Sequence, residues 1–297
     1  MIQLVGLAGT LSISFSAIFF RLAGVSPTTA AFFRAAYAVP ALALVWLALR
    51  DRDRRTSNQR WMAFGSGLLL AVDLFLWHRA IEEIGAGLST VLANQQVVFV
   101  GVAAWVLYGE RPTRLAFALI PVVFLGVTLI SGLGDPEAFG ADPVAGVVFG
   151  IGAGIAYSGF LLVFRASNRG LAPPGGPLLD ATAGAALGSL FMALFDGRFT
   201  FAIPLEAHLW LLALALLNQV LGWLLIALAL PRLPALQTSV MLLVQPMATV
   251  LWGLILLDEF LSSVQWAGVA LVVVGVATLA TVGSVERREP LPEPIAG

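Results

Sequence analysis

Three side chains that could contact a small molecule or exchange a proton with it lie close together near residue 75. Asp73 and Trp77 are four residues apart, so they share one face of a helix, and His78 follows directly. The carboxylate could bind an ammonium group, the indole could stack on a substrate, and the imidazole could sense pH. The sequence also allows a structural interpretation, in which Asp73 pairs with Arg34 and His78 is a packing residue.

Amide side chains form a second group of candidates. Asn94, Gln95 and Gln96 are consecutive, and Gln245 precedes Pro246 in a later hydrophobic stretch. Successive helical residues diverge by about 100°, so the three cannot all face one cavity, and we expect Asn94 or Gln95 to face it. Amides donate and accept hydrogen bonds without adding net charge, which suits a zwitterionic ligand.

A third group repeats the pairing of a polar residue with a tryptophan. Gln219 and Trp223 are four residues apart, as Asp73 and Trp77 are. Tyr157 adds an aromatic hydroxyl in another hydrophobic stretch. We therefore predict that these three side chains contribute to one substrate-binding site.

The elements that must position these residues are apolar. Hydrophobic residues make up 59% of the 297 residues and charged residues 11%, whereas soluble domains carry about 25% charged residues. A helix needs about 20 apolar residues to cross a bilayer. Ten such stretches predict an all-α polytopic membrane protein with spans at 4–22, 27–50, 60–83, 88–108, 113–131, 143–165, 176–196, 206–229, 235–257 and 262–284.

The arginines predict the orientation of these spans. With a cytoplasmic N-terminus, the cytoplasmic segments carry twelve arginines and the outer segments three, which satisfies the positive-inside rule. An even number of spans then also places the C-terminus in the cytoplasm. Residues 285–297 are polar and rich in proline and predict a disordered cytoplasmic tail.

The two halves of the chain resemble each other in sequence. At a constant offset of 149 residues, Gln96 aligns with Gln245, Glu110 with Glu259, and Gly126 with Gly275. The repeats, at 1–134 and 143–284, each contain five spans, so the second must have the inverted orientation. Inverted five-helix repeats are typical of carriers that work by alternating access, with the substrate site near the midplane.

Several short segments resemble the EamA-type transporters of the drug/metabolite transporter superfamily. They are residues 80–89, where the third span ends and the fourth begins, Gly109-Glu110-Arg111, Gln245-Pro246 and residues 257–260. The resemblance covers nearly the whole chain. It implies a carrier of small metabolites, in many cases an exporter of amino acids.

We therefore predict a secondary transporter that exports amino acids or similar small zwitterions across a bacterial-type inner membrane. Alternatives are export of lipophilic cations or nucleoside-like metabolites, and a non-transporting enzyme or scaffold. The chain has no cysteine, phosphate-binding loop or metal-ligand spacing, so we predict no enzyme activity, cofactor, metal or nucleic-acid partner. Protons are a candidate coupling ion, and ten spans can enclose a site in a monomer.

Overall fold

The computed structural model describes residues 2–108, 114–132, 135–168, 172–229 and 235–285, and within these ranges the regular structure is helical. A π-helix spans Leu214–Gly222, and a 3-10 turn spans Arg50–Arg52. The α-helices are α1 (Ile2–Ser14), α2 (Ser16–Ala23), α3 (Pro27–Leu49), α4 (Ser57–Ala93), α5 (Gln96–Tyr108), α6 (Arg114–Ile130), α7 (Pro143–Asn168), α8 (Gly175–Ala193), α9 (Leu205–Ala213), α10 (Trp223–Ala229), α11 (Ala235–Leu256) and α12 (Ser263–Val285). The Gly109-Glu110-Arg111 motif and the tail from residue 286 onward lie outside the described residues.

The helices occupy the predicted hydrophobic stretches, with four differences. The fourth stretch is broken at Asn94 and Gln95, between α4 and α5. The first stretch is interrupted at Phe15, between α1 and α2. Helix α4 continues past its predicted end through a sharp bend at Gly85, where φ is 80° and ψ is 174°. The π-helix occupies the middle of the eighth stretch, where we predicted an α-helix.

Five described helical segments are long and apolar enough to cross a membrane. They are Ile2–Ala23, Pro27–Arg52, Ser57–Ala93, Pro143–Asn168 and Leu205–Ala229. Shorter apolar helices lie at Phe117–Ile130, Val244–Leu256 and Ser263–Thr278. The prediction of an all-helical membrane protein is thus confirmed, whereas the count of ten spans and the cytoplasmic position of both termini stay predictions.

Helices from the two predicted repeats pack into one bundle. Helix α4 contacts α7, α8 and α11, and α1 contacts α10 and α11. The crossing of α4 and α8 is close, because a Cβ atom on Gly67 would collide with the Ala181 carbonyl oxygen. Small residues allow such close contact between membrane helices. This bundle surrounds the polar groups described next.

Candidate functional site

The polar centre of the bundle is organised by Arg34 of α3. Only 5% of this residue is exposed. Its Nε donates a hydrogen bond to Oε1 of Gln219 at 2.9 Å, and its Nη1 donates to Oγ of Ser16 at 3.1 Å. The Gln219 amide in turn donates to Oγ1 of Thr182 at 3.2 Å. Arg34 therefore connects α2, α3, α8 and the π-helix in one network.

The π-helix that carries Gln219 is supported by the last turn of α1. Ser12 Oγ donates to the carbonyl oxygen of Leu217 at 2.6 Å, and Asn218 donates its side-chain amide to the Ser12 carbonyl. Carbonyl groups that leave the regular α-helical pattern need such partners inside a membrane. Short π-helical segments occur frequently at functional sites, and this one presents Gln219 to Arg34.

Asp73 of α4 supplies an acidic group within electrostatic range of Arg34 and Tyr157. It is 7% exposed. Within the described part of the chain, no salt bridge of 4.0 Å or less joins Asp73 to Arg34, and no hydrogen bond reaches its carboxylate. The centre therefore contains a buried guanidinium group and a buried carboxyl group that are not in direct contact. A buried, separated pair of this kind is costly to maintain.

Two pairs of aromatic rings pack against the apolar cluster that contains Leu74 and Trp77 of α4. The rings of Tyr157 and Trp223 are 6.4 Å apart and meet edge to face. The rings of Phe15 and Trp252 stack at 4.7 Å, and the Trp252 indole donates to Ser14 Oγ at 2.9 Å. All four rings are half-buried, so each keeps surface that a ligand could contact.

Trp77 and His78 lie mainly in apolar surroundings. The His78 ring is fully buried, stacks on Phe20 at 4.2 Å, and lies with Nδ1 3.2 Å from the Pro27 carbonyl oxygen. A carbonyl oxygen only accepts, so Nδ1 must carry the proton. Trp77 is 7% exposed and belongs to the same apolar cluster. These contacts favour the packing interpretation of His78 over a role in pH sensing.

The remaining predicted amides take no part in the Arg34 hydrogen-bond network of the described residues. Asn94 donates to the carbonyl of Thr90 in its own helix at 2.8 Å. Gln95 is 1% exposed in the short break before α5, and its Nε2 has no partner within the described ranges. Gln245 is half-buried in α11. Within the described residues, no hydrogen bond joins these three side chains to the Arg34 network.

Four residues of the candidate site are not predicted as substrate contacts by the sequence. Arg34 is predicted only as a structural partner of Asp73, and no substrate contact is predicted for Ser16, Thr182 or Trp252. A signal for Arg34 existed, because it is the one arginine clearly inside a predicted span. The roles of Thr182 and Trp252 depend on contacts between distant helices, which no local pattern encodes.

The described residues contain no cluster of three or more His, Asp or Glu side chains that could hold a metal ion. The arrangement consists of two charges, amides, hydroxyls and aromatic rings. These groups can bind a small polar molecule reversibly.

Known proteins resemble the chain over most of its length. The EamA-like transporter family matches it twice, over residues 1–132 and 144–281. The uncharacterized transporter YwfM of Bacillus subtilis is 25% identical over 240 residues, which are 80% of this chain and 78% of that protein. The uncharacterized transporter sll1319 of Synechocystis is 29% identical over 152 residues, which are 47% of this chain and 45% of that protein.

The fold also matches a protein of known crystal structure. The TM-score is 0.62 at 18% sequence identity, and the match covers 97% of this chain and 99% of the other. The family match and the apolar helices together show a multi-pass integral membrane protein with bacterial relatives, which transports a small molecule and is not an enzyme. The chain belongs to the EamA-like transporter family, within the drug/metabolite transporter superfamily.

Proposed function

We propose that this transporter exports amino acids or similar small zwitterions across the bacterial inner membrane as a secondary carrier. The observation that carries the proposal is the separated pair of Arg34 and Asp73. A guanidinium group suits a carboxylate, and a carboxylate suits an ammonium group. A zwitterion between them would satisfy both charges at once.

The substrate-binding surface that we propose combines predicted residues with others near the charged pair. Asp73, Tyr157, Gln219 and Trp223 come from the sequence prediction, and Arg34 is added by its contacts. Trp252 is a further aromatic candidate, since it is half-buried near the same network. Substrate contacts by Trp77, His78, Asn94, Gln95 and Gln245 stay predictions.

Alternating access between two inverted repeats is the mechanism that we propose. The network around Arg34 draws on both predicted repeats, because Ser16 and Arg34 belong to the first and Thr182 and Gln219 to the second. A relative movement of the repeats would therefore change the site directly. Asp73 is the group that we propose for exchanging a proton if transport is coupled to one.

Flux measurements in proteoliposomes test the substrate class. We expect protein-dependent exchange of labelled neutral amino acids. N-acetylated amino acids lack the ammonium group and amino-acid amides lack the carboxylate, so neither should compete as well as the parent compound. The proposal is wrong if no amino acid, aromatic or small, shows protein-dependent flux.

A second candidate substrate is a lipophilic cation or a nucleoside-like metabolite. Asp73 favours a cation because it lies near aromatic rings and accepts no hydrogen bond from the described residues. The variant Asp73→Asn separates the two candidates. Transport of a cation should collapse in this variant, whereas a zwitterion bound mainly through Arg34 should retain measurable flux.

A further inference from the structure

The bend in α4 creates a new helix start inside the protein. Gly85 has a positive φ, so Ala86 and Gly87 begin a second helical segment that continues to Ala93. Amide groups at such a start have no carbonyl partner within their own helix. The residues from 84 to 92 are all buried, so water is not available to satisfy these amides.

Glu259 satisfies both of these amides from the other end of the sequence. Its Oε1 accepts from the Ala86 amide at 2.7 Å, and its Oε2 accepts from the Gly87 amide at 3.0 Å. The residue follows α11 and is 3% exposed. A carboxylate at a helix N-terminus also gains from the helix dipole. Glu259 is therefore a capping residue for a helix of the other predicted repeat.

Glycine residues provide the space that this contact needs. A Cβ on Gly85 would lie 2.7 Å from the Glu259 carboxylate, and one on Gly253 would collide with Oε2. A Cβ on Gly87 would lie 3.0 Å from the Cα of Val250. Gly85 and Gly253, in two distant segments, thus accommodate the carboxylate, and Gly87 allows the new helical segment to lie close to α11.

The contact between Glu259 and the start of the second helical segment lies at one end of the bundle. Segments that connect the helices contact one another there. We call this region, formed by residues 83–87, 139–141 and 257–262, the Glu259 end. There the Ala141 amide donates to the Glu83 carbonyl at 2.7 Å, and Gln265 Nε2 donates to the Phe139 carbonyl at 2.9 Å. Burial raises the pKa of Glu259 above its usual value, and the two amide hydrogen bonds only partly offset this effect.

We propose that Glu259 is a gating residue, whose carboxylate holds the Glu259 end closed by capping residues 86–93, and that transport requires this cap to break. The proposal rests on the alternating-access part of the proposed function and not on the substrate. Opening this end separates the repeats, and the cap joins them directly. When the cap breaks, the amides of Ala86 and Gly87 and the carboxylate of Glu259 lose their hydrogen bonds to one another and must be hydrated by water.

Distances between two spin labels test the gate without any substrate. The chain has no cysteine, so Leu22→Cys and Ser263→Cys, at two exposed positions in different repeats, supply specific labelling sites. In Glu259→Gln, the amide can accept only one of the two hydrogen bonds. We expect a second, longer distance, with the closed-to-open ratio reduced at least about tenfold, as the loss of a hydrogen bond to a charged group implies.

Two further variants make the result interpretable. Gly253→Ala displaces the carboxylate without changing any charge, and it should also produce the longer distance. Asp142→Asn is the matched control. The Asp142 carboxylate accepts a hydrogen bond from the Ala145 amide at the start of its own helix, within a single repeat. This variant should leave the distance unchanged.

The outcomes separate the gate from the substrate. A folded Glu259→Gln with the parent distance overturns the proposal, and so does a longer distance in Asp142→Asn. If Glu259→Gln does not fold, an unchanged distance in Gly253→Ala overturns it instead. If the distance lengthens in Glu259→Gln but the parent protein shows no amino-acid flux, the proposed substrate class is wrong and the proposed gate is still supported.

Discussion

At the scale of single residues, Arg34 determines the chemistry of the centre. It keeps Gln219 and Ser16 in fixed positions and remains the only guanidinium near Asp73 among the described contacts. The sequence identified Asp73 correctly as a buried polar residue. It could not identify the Arg34 network, since Gln219 and Thr182 come from elements more than 140 residues further along the chain.

Substitution of Arg34 tests this role. Lysine keeps the charge but cannot replace the forked donors of arginine, so Arg34→Lys should raise the KM for zwitterion flux about tenfold or more. Arg34→Gln removes the guanidinium hydrogen bonds to Gln219 and Ser16 and should lower the free energy of unfolding by about 1–3 kcal/mol. Flux and thermal unfolding are the measurements. Arg198→Gln, which breaks a half-exposed pair with Glu82, should change both little, and a similar loss there would contradict the assignment.

A second prediction concerns Asp53, outside the membrane spans. Hydrogen bonds from the buried Arg55 side chain hold the pKa of Asp53 below its usual value of 3.8. The stabilisation is therefore present above this usual value and is lost as the pH falls through the lowered pKa. We expect the unfolding temperature to drop below about pH 4 and this drop to be smaller in Asp53→Asn. Asp51→Asn, at a fully solvated carboxylate, should behave as the parent does.

At the scale of elements, the helices were predictable and their irregularities were not. Length and hydropathy predict where helices lie because both are properties of contiguous sequence. The π-helix depends on the bond from Ser12 to Leu217, and the bend at Gly85 depends on Glu259. Each requires a partner more than 170 residues away. The predicted common face of Gln219 and Trp223 assumed α-helical geometry, which the π-helix changes.

The crossing of α4 and α8 provides a matched pair of glycine substitutions. Gly67→Ala should reduce the unfolding free energy by about 1–3 kcal/mol, since the new methyl group would collide with the Ala181 carbonyl. Gly65→Ala lies in the same helix with no atom within 4 Å of the new Cβ. It should be neutral or stabilise the helix, as alanine generally does. Equal effects of the two in thermal unfolding would contradict the close packing.

At the scale of the whole molecule, the family and membrane class followed from the sequence, and the chain's orientation stays a prediction. The arginine bias predicts that both termini face the cytoplasm. Alkaline phosphatase fused to the C-terminus should therefore be inactive in cells, and the same enzyme fused after Glu137, in a predicted outer connection, should be active. An active C-terminal fusion together with an inactive fusion after Glu137 would show that the predicted orientation is inverted. The Glu259 end would then lie on the cytoplasmic side.

The charged centre also has an electrical consequence. With Arg34 and Asp73 both ionised, the empty site carries no net charge, and a zwitterion adds none. Moving one elementary charge through the membrane potential changes the energy by about 2.3 kcal/mol per 100 mV, so the neutral carrier should cycle at a rate independent of voltage. A proton on Asp73 would make the centre cationic and the cycle sensitive to voltage. Electrophysiological recording would therefore show whether Asp73 is ionised or protonated while the substrate crosses the membrane.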